Sequence, residues 1–116
     1  MITPQQPKLW GYCRASTDLQ KDSPDIQEAQ LRQRWAVGDM DGEPAEIFKE
    51  HRSAVDLRYD ERPAFIRLMH VVQAGDHLFV THLDRIDRNP FGLMRAAEWL
   101  QRRDVHLHVL NFPGRG

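Results

Sequence analysis

Cysteine is almost absent: Cys13 alone occurs in 116 residues, which excludes an intramolecular disulfide and leaves no thiolate set for a structural zinc. Lysine is nearly as scarce. Only Lys8, Lys21 and Lys49 are lysines, so almost all of the positive charge is arginine, the cation suited to bidentate contact with phosphate or carboxylate. Neither sign of charge is in excess: 16 Lys and Arg stand against 17 Asp and Glu, which argues against a protein that binds nucleic acid over its whole surface. No run approaches the roughly 20 apolar residues of a membrane-crossing helix. No basic-then-apolar secretory leader opens the chain, so no membrane partner and a cytoplasmic location are expected. Internal repeats, low-complexity segments and interdomain linkers are missing too. What remains, 41% hydrophobic and 28% charged, is ordinary globular material for one small domain.

Residues 1–7 carry two prolines and read as a short flexible leader. The apolar, aromatic stretch Lys8 to Arg14 suits a first strand. Ser23-Pro24 then pairs an N-cap with a proline at the first helical position, opening a helix that runs to about Val37, where Gly38 closes it. Glu46 to Lys49 is a second strand. After the polar stretch Glu50–Glu61, Arg62-Pro63 opens a second helix, with Phe65, Leu68, Met69 and Val72 on one buried face. His77–His82 reads as a central strand buried on both sides. Asn89-Pro90 caps a third helix with a Leu93, Ala96, Ala97, Leu100 stripe, and Val105–Leu110 is a fourth strand. The β-α-β-α-β-α-β order predicts a three-layer α/β fold: a mostly parallel central sheet of four or five strands flanked by helices.

Ligands of open parallel sheets gather at the carboxyl ends of the strands. The segments leaving the strands are Arg14 to Asp18, Glu50 to Ser53 and Leu83 to Arg88, with Arg62 near the same edge. A serine, two or three acids and at least four arginines therefore converge there. Arg14 and Ser16, two apart on an extended chain, point the same way; Arg85 and Arg88, three apart near a helix start, share a face. A hydroxyl ringed by guanidiniums suits a phosphodiester: the serine attacks phosphorus and the arginines stabilise the added negative charge without a metal. Asp84 is placed to relay protons or to hold an arginine. Plainer readings stand beside these. A Ser-Thr pair after a strand is more often a turn or a cap, and an Asp-Arg-x-x-Arg run is usually a solvated helix end. His106 and His108, on one strand face, are more often a packed or exposed pair than metal ligands. Trp10, Trp35 and Trp99 belong to the core or its rim, and Cys13 to the core, facing away from Arg14.

Tyr12-Cys13-Arg14-Ala15-Ser16-Thr17-Asp18, with Gln20 and Gln27, resembles the opening Y-x-R-V-S-T motif of the serine recombinases of the resolvase/invertase family. Arg62-Pro63, Gly75-Asp76 and Leu83-Asp84-Arg85-Ile86-Asp87-Arg88-Asn89 resemble that family's later blocks, in order and at close to the right spacing. The resemblance runs from about Leu9 to Leu110. It implies a resolvase-like catalytic domain over residues 8–116 in which Ser16 attacks DNA and becomes joined to the 5′ phosphate. Arg14, Arg62, Arg85 and Arg88 would surround the scissile phosphate, and Asp84 would assist. Tyr12, Gln20, Gln27 and Ser53 would be supporting residues. Such enzymes need neither ATP nor metal, so no cofactor is expected; the expected partners are DNA and further copies of the chain, four subunits cutting four strands.

Two positions depart from the pattern. Ser53-Ala54 stands where a serine-glycine pair is usual, and alanine is strained wherever φ is positive, so a differently shaped loop is expected. Asp87 stands where glycine is common, either pairing with an arginine or pointing to solvent. The family's dimer helix and helix-turn-helix reader are expected to be absent from this chain, which leaves the fragment monomeric or weakly dimeric and its DNA binding weak. One rival reading is a truncated relative that only forms mixed oligomers with an intact recombinase. Another, a flavodoxin-like nucleotide binder, is disfavoured because Arg14 to Asp18 lacks the glycine-rich phosphate turn.

Overall fold

The computed structural model describes residues 6–15, 23–50 and 57–111. Among them the elements run β1 (Lys8–Cys13), α1 (Pro24–Ala36), β2 (Glu43–Lys49), α2 (Pro63–Val71), β3 (His77–Val80), α3 (Pro90–Arg102) and β4 (His106–Val109), with short 3-10 turns at Tyr59–Glu61 and Leu83–Arg85. The four strands form one sheet in the order β2-β1-β3-β4, and every pairing is parallel. This is the alternating α/β architecture predicted, with four strands among the described residues.

Local chemistry sets the helix starts. The Ser23 hydroxyl accepts from Ile26 N at 3.3 Å, and the Asn89 side chain accepts from Phe91 N at 2.9 Å, each satisfying an amide that has no partner within the helix. Pro24 and Pro90 follow these caps where no backbone donor is needed. Gly38, with φ of 77°, lies just beyond the end of α1.

The strands differ from expectation at their ends. β2 begins three residues earlier than its apolar core suggests, because it is an edge strand and Pro44 can sit where no ladder donor is required. β3 stops at Val80, since Thr81 and His82 already bend toward the 3-10 turn. β4 spans only His106–Val109. In α3 the stripe is Leu93, Ala96 and Leu100, with Trp99 rather than the exposed Ala97 packed beside it.

Helices cover both faces unequally. Beneath α2 and α3 lies the larger core, built on Trp10, Tyr12, Phe48, Phe65, Leu78 and Leu100, with Tyr12 edge-on to Phe65 at 5.0 Å. Beneath α1 lies a smaller one of Leu9, Cys13, Leu31, Trp35, Ile47 and Phe79. Each large apolar side chain so buried contributes about 1.5–3 kcal/mol. Gly11 allows the close approach on the α1 side: a Cβ there would lie 2.8 Å from Ile47 Cγ1 and 2.9 Å from Leu31 Cδ1. Trp10 and Trp35 are core and Trp99 is half-buried at the rim. Among the described residues no helix is long and apolar enough to cross a membrane.

Candidate active site at the carboxyl edge

Beyond the carboxyl ends of the strands, two buried guanidiniums collect carbonyls of the 3-10 turn Leu83–Arg85 and its neighbours. Arg14, one residue beyond β1, is 2% exposed. Its Nε donates to Arg85 O at 2.9 Å and its Nη2 to Asp84 O. Arg62, the residue before α2, is likewise 2% exposed. Its Nη1 donates to Arg85 O at 3.2 Å and to Ile86 O, and its Nε to Leu57 O at 3.0 Å. Two cations from different elements thus share the Arg85 carbonyl and hold the 3-10 turn that carries the Asp84-Arg85 pair. Hydrogen bonds from charged donors are worth about twice neutral ones, so the turn is fixed firmly.

The backbone of Arg14 is pinned from α1. Gln27, fully buried, accepts from Arg14 N at 3.3 Å and donates from Nε2 to Arg14 O at 2.9 Å. A side-chain amide has both a donor and an acceptor, and Gln27 spends both on the residue that leads toward Ser16. Ser16, Gln20, Ser53 and Ala54 lie outside the described residues.

Glu50 has no role in the sequence reading beyond being an acid at the mouth. In the structure it is 5% exposed and ties three elements together. Oε1 accepts from Ala64 N at 3.0 Å; Oε2 accepts from Phe65 N at 2.9 Å and from the Tyr12 hydroxyl at 2.8 Å. Arg62 at the N-cap of α2 makes no side-chain cap, so Glu50 supplies it from the end of β2, where a carboxylate also suits the positive end of the helix dipole. Burial first, then the Glu50 charge, raises the Tyr12 pKa far above the usual tyrosine range; Tyr12 is a neutral donor. A signal was available: a glutamate directly after an apolar strand and thirteen residues before a helix start without a capping side chain.

The remaining expected residues separate. Arg85 is buried while Asp84 is half exposed, and Arg85 Nε lies 3.9 Å from Asp84 Oδ1, too long for a hydrogen bond. Arg88 is exposed at the start of α3. Arg85 and Arg88 therefore do not share an environment, because the 3-10 turn ends between them. All four arginines nevertheless meet electrostatically. Burial, then the charges of Arg62, Arg85 and Arg88, lower the Arg14 pKa, with Tyr12 opposing; a guanidinium stays charged through such a shift.

Asp87 follows neither expected course. It is 9% exposed, turned into the start of α3, where it accepts from Asn89 N at 2.9 Å. Gly92 makes room for it: a Cβ there would sit 2.0 Å from Asp87 Oδ2. Among the described residues no group of three or more His, Cys, Asp or Glu is arranged to hold a metal ion.

Comparison with known proteins identifies the family and the fold. The family model for the resolvase N-terminal domain matches residues 9–115. The chain is 36% identical over 107 residues to the transposon Tn2501 resolvase of Escherichia coli, covering 92% of this chain and 52% of that protein. It is 33% identical to serine recombinase PinR of Escherichia coli strain K12, with 92% and 51% covered. The chain thus spans about half the length of these relatives. Among solved structures, the C-terminal catalytic domain of ISC1926 TnpA, an IS607-like serine recombinase, superposes with a TM-score of 0.70 at 19% identity, covering 92% of this chain and 72% of that one. The N-terminal catalytic domain of TP901-1 integrase gives 0.69 at 23% identity, with 90% and 77% covered. These two likenesses speak to the fold.

Proposed function

The chain belongs to the resolvase N-terminal domain family, and from that premise we propose that it cuts and rejoins DNA through a covalent phosphoserine intermediate. The observation that supports the reading is geometric: buried Arg14 and Arg62 both donate to the carbonyl of buried Arg85 at the carboxyl edge, and exposed Arg88 follows three residues on. Guanidiniums so placed suit an anionic ligand, and a scissile phosphate in its transition state is such an anion.

In this reading the Ser16 Oγ attacks phosphorus, the Oγ–P bond forms, and the bond from phosphorus to the 3′ oxygen breaks. The serine proton leaves with attack and the departing 3′ oxygen takes one up; Asp84, half exposed at the rim, is suited to pass it through water. Gln27 and Glu50 do no chemistry. Gln27 fixes the Arg14 backbone, and Glu50 fixes the start of α2 and with it Arg62. The phosphoserine keeps the energy of the phosphodiester, so the reverse attack by a 3′ hydroxyl reseals DNA with neither ATP nor metal. Self-association, DNA as the partner and a cytoplasmic location follow from the same premise.

The test fuses the chain to a DNA-binding module and supplies a suicide substrate carrying that module's sites. Denaturing gels should show protein joined to 5′ ends, lost in Ser16→Ala. A folded protein that gives no adduct, beside a related recombinase that does so on the same DNA, would leave the chain as an oligomerisation partner only.

A further inference from the structure

Three histidines gather on the α1 face of the sheet, remote from the arginines. His77 starts β3 and pairs in register with His106 of β4, and His108 lies two residues further along β4. His77 Nδ1 and His108 Nε2 are 2.8 Å apart. The His77 ring centroid is 5.2 Å from that of His106 and 5.0 Å from that of His108, and His108 stacks on Phe79 at 4.5 Å. A nitrogen pair at 2.8 Å needs one N–H and one lone pair, so the bond exists only while at least one of the two rings is neutral. β4 stands at the end of the sheet, laddered to β3 alone among the described strands, and this side-chain bond adds to that single ladder.

We propose that the hydrogen-bonded His77–His108 pair is an acid-sensitive latch that fastens β4 to β3 and opens when these two rings take up protons. Every neighbouring charged group can be weighed. Asp76, beside His77, favours its protonated form, whereas His106 opposes it. His108 faces His77 and His106, and Arg34 from α1 adds a third cationic neighbour. Asp104 lines the groove next to His106 and His108 and is the acid available from the α3 end. Burial and these cations hold both His77 and His108 below the ordinary histidine pKa. The unfolded chain therefore binds more protons than the folded one at mildly acid pH. The latch contributes fully above about pH 6.5 and is lost as the pH falls through the lower folded values. The inference stands apart from the catalytic reading, since none of the three rings belongs to the arginine edge.

Amide hydrogen exchange on the chain tests it, comparing peptides over 105–111 with those over 8–13 at about pH 7.5 and about pH 5 and correcting for intrinsic rates. Protection of β4 should fall several-fold at the acid pH, the latch bond being lost, while β1 holds. The triple variant His77→Gln, His106→Gln, His108→Gln should lose the difference between the two pH values. Protection of β4 that ignores pH, or a loss that persists in the triple variant, would overturn the latch. Should that variant fail to fold, nuclear magnetic resonance titration of the wild-type rings decides: values for His77 and His108 below about 6.5 support the latch, and values at or above it refute it.

Discussion

The two ends of the sheet bury charge in opposite ways. At the amino end Asp76, 5% exposed, accepts from Lys8 N at 3.1 Å, Trp10 Nε1 at 2.8 Å and Gln73 N at 2.9 Å. One small anion meets three donors, and its hydrogen-bonding need is met locally. At the carboxyl end buried cations stand beside the buried Glu50. Arg14 and Arg62 both donate to the Arg85 carbonyl, one to each lone pair, and Arg85 and Arg88 add positive charge nearby. A device for stability resembles the first end. The second gathers guanidiniums from three segments around one turn, the feature on which the catalytic proposal rests.

Substitutions at the two ends should therefore fail differently. The largest effect is expected for Arg14→Lys and Arg62→Lys. Each keeps the charge but loses the planar fork that reaches two partners at once. Cleavage in single turnover should slow by about a hundredfold or more, the loss seen when one aimed donor is removed from a charge-stabilising site. Rates within a few-fold of wild type would reduce these arginines to braces for the 3-10 turn.

Asp76→Ala probes the opposite end. It strands three donors, and a buried unpaired donor costs about 1–3 kcal/mol; since such costs do not simply add, a loss near 3 kcal/mol in denaturant unfolding is expected. The cleavage rate per folded molecule should not change. A selective loss of rate would erase the contrast between the ends.

How much of this was open to sequence reasoning depends on the range of the interaction. Ser23-Pro24 and Asn89-Pro90 mark helix starts through bonds that span two or three residues, and such local chemistry can be read directly. The convergence of Arg14, Arg62 and Arg85 follows from the parallel topology alone. Glu50 and Asp76 were not legible as buried acceptors, because their donors come from up to 38 and 68 positions away. Asp87 misled for a different reason: its partner is close in sequence, but the space it occupies is made by the missing side chain of Gly92. The length of β2 was hidden by Pro44, whose meaning reverses once the strand is known to lie at an edge.

Between the extremes stands the link from Glu50 to the arginines. Glu50→Gln retains an acceptor oxygen but replaces the other with a donor facing amides, so a loss of about 1–3 kcal/mol is expected. Because α2 then starts less firmly, cleavage should fall with it. Tyr12→Phe removes only the hydroxyl; Glu50 keeps Ala64 N and Phe65 N, so about 1 kcal/mol is expected with cleavage nearly intact. Equal effects of the two variants on the rate would mean that Glu50 does not act through the helix start.

The smallest effect belongs to the residue beside it. Successive side chains of a strand point to opposite faces, so Lys49 turns toward α1 while Glu50 turns toward α2. Lys49 Nζ reaches Glu28 at 2.9 Å and Asp25 at 3.2 Å, with the lysine 41% and Asp25 87% exposed. Hydrogen bonding to these acids raises the Lys49 pKa, and bonding to Lys49 and then Arg32 lowers that of Glu28. The depressed Glu28 value means that its contribution is present above its unfolded pKa, about 4.3, and is lost as the pH falls below it. Water and salt screen such a pair, so Lys49→Met should cost about 0.5 kcal/mol at low ionic strength and nothing measurable near 1 M salt. The same salt should leave the cost of Glu50→Gln nearly unchanged, because its partners are buried. Two adjacent charged residues at the end of β2 would then differ several-fold in worth for no reason but the face to which each was turned.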